Sequence, residues 1–168
     1  MLLFSLFKKN KEEPVSNPVP VQSVKESNKY EFIVHCDEND KPLWKYQKEN
    51  TDPDDIYNGM TMHDFKASGD CGEKLYKYPP LSVPVKLSAF IGEDGSVEIS
   101  GYIIDGNDEI LVGKAAKTKS KKILKILQEN NPKITGELSG GYYWLIESSG
   151  YLNSDCFAEY RMDVSFEW

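Results

Sequence analysis

The sequence predicts an α+β domain, a small and partly closed antiparallel β-barrel of about seven short strands with one or two short helices. Apolar and polar residues alternate over residues 83–89 and again over 97–103, which is typical of strands with one buried face. Asp105-Gly106 predicts a hairpin turn between the second of these strands and a returning strand at 110–112. These short strands and close turns favour a strongly bent or barrel-like sheet.

The folded domain is expected to span residues 30–168, after a disordered tail and linker at residues 1–29. Pro14, Pro18 and Pro20 lie among polar residues with no long apolar period, which indicates an extended linker. Residues 30–35 have the β-branched and aromatic content of a first strand. Loops are predicted at 36–42, 50–55 and 92–95.

Two helices are expected within the domain. Thr61 is placed to cap a short helix that contains Asp64 and Phe65 and ends at Gly69. Thr118 or Ser120 is expected to cap a second helix near residues 120–130. Pro132 ends this helix, and its buried side chains are predicted to be Ile123, Leu124 and Leu127.

Three more strands are predicted after this helix, near residues 133–138, 142–147 and 157–166. Gly140-Gly141 and Ser149-Gly150 lie between them, where glycine permits turn conformations that other residues avoid. The C-terminal part of the chain is therefore expected to complete the sheet.

The charge of the chain restricts its partners. The formal net charge is -7, which disfavours a general coat for nucleic acid or membrane surfaces. Arg161 is the single arginine, so any anion contact must come mainly from lysine. The apolar start of the chain is too short to span a bilayer, and we expect no membrane contact through residues 1–9. Three widely spaced cysteines, Cys36, Cys71 and Cys156, fit reduced thiols in a cytoplasmic protein.

A lysine-rich segment at residues 112–127 is the clearest local feature, with six lysines and no acid. Its candidate anion-binding residues are Lys114, Lys117, Lys119, Lys121 and Lys122. They lie on a connector and a first helical turn, where free backbone N–H groups favour an anion. The same spacing also fits the solvated face of an amphipathic helix, and the sequence leaves both interpretations open.

Three consecutive aromatic residues, Tyr142, Tyr143 and Trp144, are the best candidates for stacking on nucleic-acid bases. Alternate residues of a strand face opposite ways, so Tyr143 must differ in exposure from its neighbours. Core packing of these rings is the competing interpretation.

Catalytic and metal-binding patterns are weak in this chain. His35-Cys36 and His63 with Cys71 do not match the spacing of zinc ligands. The acidic stretches at 52–55 and 105–108 lack the glutamate that completes a calcium loop. No glycine-rich phosphate-binding motif is present. We therefore expect no catalytic residue, no metal and no cofactor.

The order of elements after residue 97 resembles the second half of a HIRAN domain. A strand ends in Val112-Gly113, a lysine-bearing connector and a short helix follow, and the next strand, residues 134–138, runs into Gly140-Gly141. The similarity covers roughly residues 30–168, with residues 92–95 in place of the Asn-Pro-x-Asp-Pro-x-Ala phrase of typical members. The resemblance implies a non-catalytic module, and some family members bind the ends of single-stranded DNA.

Two hypotheses follow from the sequence. The chain is either a HIRAN-like binding module for single-stranded DNA or RNA ends or another anionic ligand, or a protein-interaction or scaffold domain that does not bind nucleic acid. The first requires lysines and an aromatic ring to line one groove, whereas the second allows the lysines to point into solvent.

Overall fold

The computed structural model describes residues 27–36, 40–68 and 71–168. The predictions for residues 1–26 of the tail, for membrane contact through residues 1–9 and for the end of the first helix at Gly69 lie outside the described residues. At the end of the predicted tail, a strand begins at Lys29, and Asn28 exchanges backbone hydrogen bonds with Trp168. The elements in chain order are β1 (Lys29–Cys36), α1 (Asp40–Asn50), a 3-10 segment (Pro53–Gly59), α2 (Met62–Ser68), β2 (Lys74–Tyr76), β3 (Leu81–Val83), β4 (Val85–Ile91), β5 (Val97–Asp105), β6 (Asp108–Ala115), α3 (Lys117–Asn130), β7 (Lys133–Ile146) and β8 (Leu152–Glu167).

The described residues form one antiparallel sheet of eight strands, together with three α-helices, which confirms the α+β class. The strand order is β2-β7-β8-β1-β6-β5-β4, and β3 pairs separately with β7. The predicted barrel is not formed, because the sheet is not closed. Pro84 separates β3, which pairs with β7, from β4, which pairs with β5. The chain thus changes its pairing partner from β7 to β5 at Pro84.

Both predicted turns between β4 and β6 are present. The Gly92–Gly95 turn is closed by hydrogen bonds from Gly92 N to Ser96 O and from Gly95 N to Gly92 O, each 2.9 Å long. The hairpin at Asp105 pairs that residue with Asp108 across a two-residue turn, in which Gly106 has a φ of 61°. Positive φ is cheap for glycine, so the sequence signal was sufficient here.

The predicted strands at 133–138 and 142–147 are a single strand, β7, which runs through Gly140-Gly141 without a turn. The two glycines have φ values of 120° and 93°. A Cβ at Gly140 would lie 2.6 Å from the carbonyl oxygen of Glu159, so the backbones of β7 and β8 approach too closely for any side chain. Between the pairs Ser139–Arg161 and Gly141–Ala158, β8 has one residue more than β7. The glycine pair therefore accommodates a β-bulge.

Helix α3 begins earlier than predicted. Its N-cap is Ala116, which makes no side-chain cap hydrogen bond, so the predicted cap at Thr118 or Ser120 is wrong. Ser120 is instead buried inside the helix and donates to Ala116 O at 3.3 Å. Ile123 is fully buried as predicted, but Leu124 and Leu127 are only partly buried and Ile126 replaces them in the core. The main core lies between this helix, α1 and the sheet.

The sequence did not predict helix α1, whose first residues were assigned to a loop. Asp40 and Pro42 lie in its first turn, where proline is tolerated because its missing N–H would have no helical partner. Leu43, Tyr46 and Gln47 are buried at helical spacing. This helix contributes to the main core and, as described below, to the candidate site.

A second, smaller core forms around α2 and the end of β7, from the buried residues Phe65, Leu75, Trp144 and Ile146. Thr61 and Asp64 cap α2 reciprocally, as the sequence predicted for Thr61. The Asp64 N–H donates to Thr61 Oγ1 at 3.2 Å, and the Thr61 N–H donates to Asp64 Oδ2 at 3.2 Å. A hydrogen bond of 2.6 Å from the Thr61 hydroxyl to Asp64 Oδ2, followed by the one from the Thr61 N–H, lowers the pKa of the exposed Asp64 carboxyl group.

Candidate functional site

The five predicted anion-binding lysines lie on two elements and have different neighbours. Lys114 is in β6, where its Nζ lies 3.2 Å from Glu98 Oε2. Lys117 follows at the start of α3 and lines a small pocket with Lys114, His35 and Glu98. The carboxylate of Glu98 therefore lies near both ammonium groups, and its negative charge makes phosphate binding there less favourable.

The other three lysines turn to separate surfaces. Lys119 borders a groove on the outer face of the sheet that also contains Glu31, Glu137 and Asp163. Hydrogen bonds from Ser96 lower the pKa of the Asp94 carboxyl group, and the charge of Lys121 lowers it by a smaller amount. Lys122 lies over the Tyr30 ring, 4.2 Å from its centroid. The structure therefore does not bring the five lysines together in one groove.

The three consecutive aromatic residues of β7 also have different environments. Trp144 is only 8% exposed, and its ring stacks on Tyr57 with centroids 3.7 Å apart and planes inclined by 13°. Tyr143 is partly buried beside Tyr76, and Lys74 Nζ lies 4.8 Å from its ring centroid. Tyr142 is 48% exposed. Of the three predicted stacking residues, Tyr142 alone presents a largely open ring.

Tyr142 lies in an open pocket of about 530 Å³ that combines aromatic rings with lysines. We call it the aromatic pocket, and its lining residues are Asp40, Lys41, Trp44, Lys77, Tyr142 and Phe157. They come from α1, from the segment after β2, from β7 and from β8. The pocket shares no residue with the grooves that Lys114, Lys117 and Lys119 line.

Strand register holds one wall of the aromatic pocket. Tyr142 and Phe157 are direct cross-strand partners of β7 and β8, and their rings meet edge to face at 5.2 Å. Phe157 in turn contacts the buried Tyr160 ring at 6.1 Å. Lys77 is fixed beside this wall because its backbone N–H donates to Tyr142 O at 2.8 Å. Edge-to-face pairs of this kind limit ring motion and keep the wall in place.

A buried hydrogen-bond chain holds the opposite wall, which α1 supplies through Lys41 and Trp44. Tyr160 OH donates to Gln47 Oε1 at 3.1 Å, and Gln47 Nε2 donates to Pro79 O at 3.2 Å. Gln47 has no exposed surface and Tyr160 has 1%. Burial strongly raises the pKa of Tyr160, so its hydroxyl keeps its proton, and remains a donor, even above the ordinary tyrosine value of 10.0. The helix is thereby attached to β8 and to the segment that carries Lys77.

The charges of the aromatic pocket suit an anionic ligand. Within the described residues, neither Lys41 nor Lys77 forms an ion pair, and Lys77 Nζ lies 5.8 Å from the Tyr78 ring centroid. Asp40 is partly buried, and its Oδ1 accepts a hydrogen bond from Cys36 Sγ at 3.4 Å. Lys48 covers the Trp44 ring, 5.1 Å from its centroid. Two lysines and one carboxylate thus stand around three aromatic rings.

The cysteines and carboxylates do not form a metal centre in the described part of the chain. No group of three or more potential metal ligands occurs there. Cys36, Cys71 and Cys156 lie in three separate places and no disulfide joins them. Across residues 27–36, 40–68 and 71–168, no helix has the length and apolar content needed to cross a membrane.

Comparisons with protein-family models, with curated proteins and with solved structures give no match for this chain. The site is therefore defined by its own geometry. Sequence reasoning found one of the six pocket residues, Tyr142. The spacing of Leu43, Tyr46 and Gln47 was a signal for α1, whereas Lys77 and Phe157 carry no local signal of a site.

Proposed function

We propose that this chain is a non-catalytic, HIRAN-like binding module that holds the end of a single-stranded nucleic acid, or a similar anionic ligand with a flat ring, in the aromatic pocket. The observation that supports this proposal is the convergence of Trp44, Tyr142 and Phe157 with Lys41 and Lys77. Aromatic faces beside lysines are the usual means of holding single strands without sequence preference.

The size of the pocket favours a terminal nucleotide over a long groove-bound strand. Its volume of about 530 Å³ lies within the range of small-molecule sites. A base placed against Tyr142 would stack on the ring, and a phosphate would then meet the ammonium group of Lys41 or Lys77. Asp40 retains acceptor capacity for an N–H of the base or for a sugar hydroxyl.

We place the site at the aromatic pocket and not at the lysine-rich segment, because carboxylates lie near three lysines of that segment. Glu98 lies beside Lys114, Glu31 lines the same groove as Lys119, and Asp94 is affected by Lys121. Trp144 is likewise left out of the site, since its ring is packed against Tyr57 in the second core. The HIRAN resemblance contributes the expectation of a strand end as ligand. The aromatic pocket supplies chemistry that such an end could use.

A titration of fluorescently labelled single-stranded oligonucleotide tests the proposal. With about two phosphate contacts, log K should fall with log salt at a slope near -1.4. Tyr142→Ala should weaken binding by about 1 to 3 kcal/mol, which is the usual contribution of one stacked base. Tyr151→Ala is the matched control, because Tyr151 is also exposed, at 65%, and lies outside the pocket.

Charge reversal separates the two lysine sites. Lys41→Glu with Lys77→Glu should abolish binding at about 100 mM salt, since each lysine replaces a condensed counterion of the strand. Lys117→Glu with Lys119→Glu makes the same change of charge outside the pocket and should have a smaller effect. A larger effect of the second pair would move the site to the lysine-rich segment. An absence of binding at about 20 mM salt would remove the nucleic-acid proposal and favour a protein-interaction or scaffold domain.

A further inference from the structure

Strand β4 is a free edge of the sheet. Among the residues that the structure describes, it stands last in the strand order and pairs with β5 on one side only. Its second half, residues 88–91, is exposed throughout, and Phe90 and Ile91 are 67% and 58% exposed. A strand edge with exposed apolar residues is a template for pairing with another strand.

The hydrogen bonds at both ends of β4 establish which backbone groups are unpaired. Ile104 N donates to Pro84 O at 3.0 Å, and Gly92 N donates to Ser96 O at 2.9 Å. Since backbone groups of successive residues alternate in direction along an antiparallel ladder, the even-numbered residues face β5. Leu87, Ala89 and Ile91 therefore present their N–H and C=O groups to the open side.

The usual protection of an edge strand is confined to the start of β4. Pro84 directly precedes the strand, and Lys86 is its second residue and forms an ion pair with Glu109. Residues 88–91 contain no charge and no proline. Proteins that remain monomeric commonly place a lysine or a proline on such an edge. The exposed half of β4 has neither a lysine nor a proline.

We propose that β4 pairs antiparallel with β4 of a second copy of this chain, around a two-fold axis at Ala89. Ala89 then faces Ala89, and Leu87 faces Ile91 of the second copy. The three open residues of each strand would form about six backbone hydrogen bonds. Side chains of Leu87 and Ile91 lie on the same face of β4 as the core and would extend its apolar row across the interface.

The charges at the two ends of β4 favour a second copy in this orientation. Lys86 stands at the start of the strand, and the turn at its end carries Glu93 and Asp94. Antiparallel pairing places each Lys86, which also pairs with Glu109 of its own chain, next to the acidic turn of the other copy. Parallel pairing would place lysine beside lysine and acid beside acid. The edge is thus complementary to itself in one direction only.

Sedimentation equilibrium of the full chain, from about 1 µM to about 1 mM, tests this proposal in the range expected for a small interface. The weight-average mass should rise towards that of a dimer. Ile91→Lys should weaken association at least tenfold, because it places a lysine at the apolar seam. Tyr151→Lys is the control, since Tyr151 is an equally exposed apolar residue between β7 and β8.

Amide hydrogen exchange measured by NMR tests whether a dimer forms through the open side of β4. Raising the concentration should slow exchange of the Leu87, Ala89 and Ile91 amides, while the Ser88 and Phe90 amides, already bonded to β5, change little. Ala89→Pro removes only an outward N–H and should leave the monomer folded but unable to pair. A chain that stays monomeric at the highest concentration, or a dimer in which these three amides are not protected, would overturn the proposal.

Discussion

Replacing Tyr160 with Phe tests whether the buried hydrogen-bond chain holds α1 on the sheet. The substitution keeps the ring and removes only the hydroxyl that donates to Gln47 Oε1. No cavity of note results, so the cost comes from the amide oxygen that loses its donor in a fully buried position. We expect Tyr160→Phe to lower the free energy of unfolding by about 1 to 3 kcal/mol.

Urea denaturation measures this loss of unfolding free energy. The m-value should stay unchanged, which shows that stability alone has changed. Gln47→Met should be at least as destabilising, because it also removes the hydrogen bond to Pro79 O. The double variant should cost less than the sum of the two single variants, with a coupling of about 0.5 to 3 kcal/mol, since each change removes the same Tyr160–Gln47 bond. Tyr151→Phe, at an exposed ring, should change stability by less than about 0.5 kcal/mol.

Two results would contradict this reasoning. If Tyr160→Phe is as stable as the parent chain, the hydrogen bond from Tyr160 to Gln47 contributes no net stability. If the two single variants add without coupling, Tyr160 and Gln47 do not depend on each other and α1 is held by its apolar side chains alone. In either case the hydrogen-bond chain would no longer explain the position of Lys41 and Trp44.

Two further predictions concern the core and alkaline pH. Ile123→Ala should cost about 2 to 5 kcal/mol in urea denaturation because this side chain is fully buried, whereas Leu124→Ala should cost clearly less; the reverse order would show that α3 is rotated from the position described. Burial raises the pKa of Tyr160 above its ordinary value of 10.0, so the folded chain keeps a proton that the unfolded chain loses above about pH 10. Its contribution to stability is therefore complete below pH 10.0 and declines as pH rises further; Tyr160→Phe should flatten this decline, and equal pH profiles would contradict it.

Turn chemistry made part of the fold readable from sequence. The hairpin at Asp105-Gly106, the turn at 92–95 and the cap at Thr61 each depend on residues within four positions of one another. These predictions were correct because the conformation of a glycine and a capping hydrogen bond depend on neighbouring residues in the sequence. Strands β4 and β5 were recognised because apolar and polar residues alternate along each of them, which is also a local pattern.

Features that depend on contacts between strands could not be predicted from local sequence patterns. Gly140-Gly141 resembles a turn in sequence, yet here it relieves contact with the backbone of Glu159 inside a long strand. The sheet is not closed, since the chain pairs with β7 before Pro84 and with β5 after it, although the alternation on both sides of Pro84 fits a barrel. Helix α3 starts without a capping side chain, so capping rules placed its start too late.

The candidate site shows the same division between local and non-local information. A charge excess within one segment is visible in sequence, but amphipathic helices produce such an excess on their solvated face, and α3 does so here. The aromatic pocket instead joins α1 to residues of β7 and β8 that lie far along the sequence. Its assembly requires the Tyr142–Phe157 register, which the β8 bulge sets, and the attachment of α1 through Gln47. A variant that shifts the bulge, such as Gly140→Ala, should therefore disturb the pocket without touching any residue that lines it.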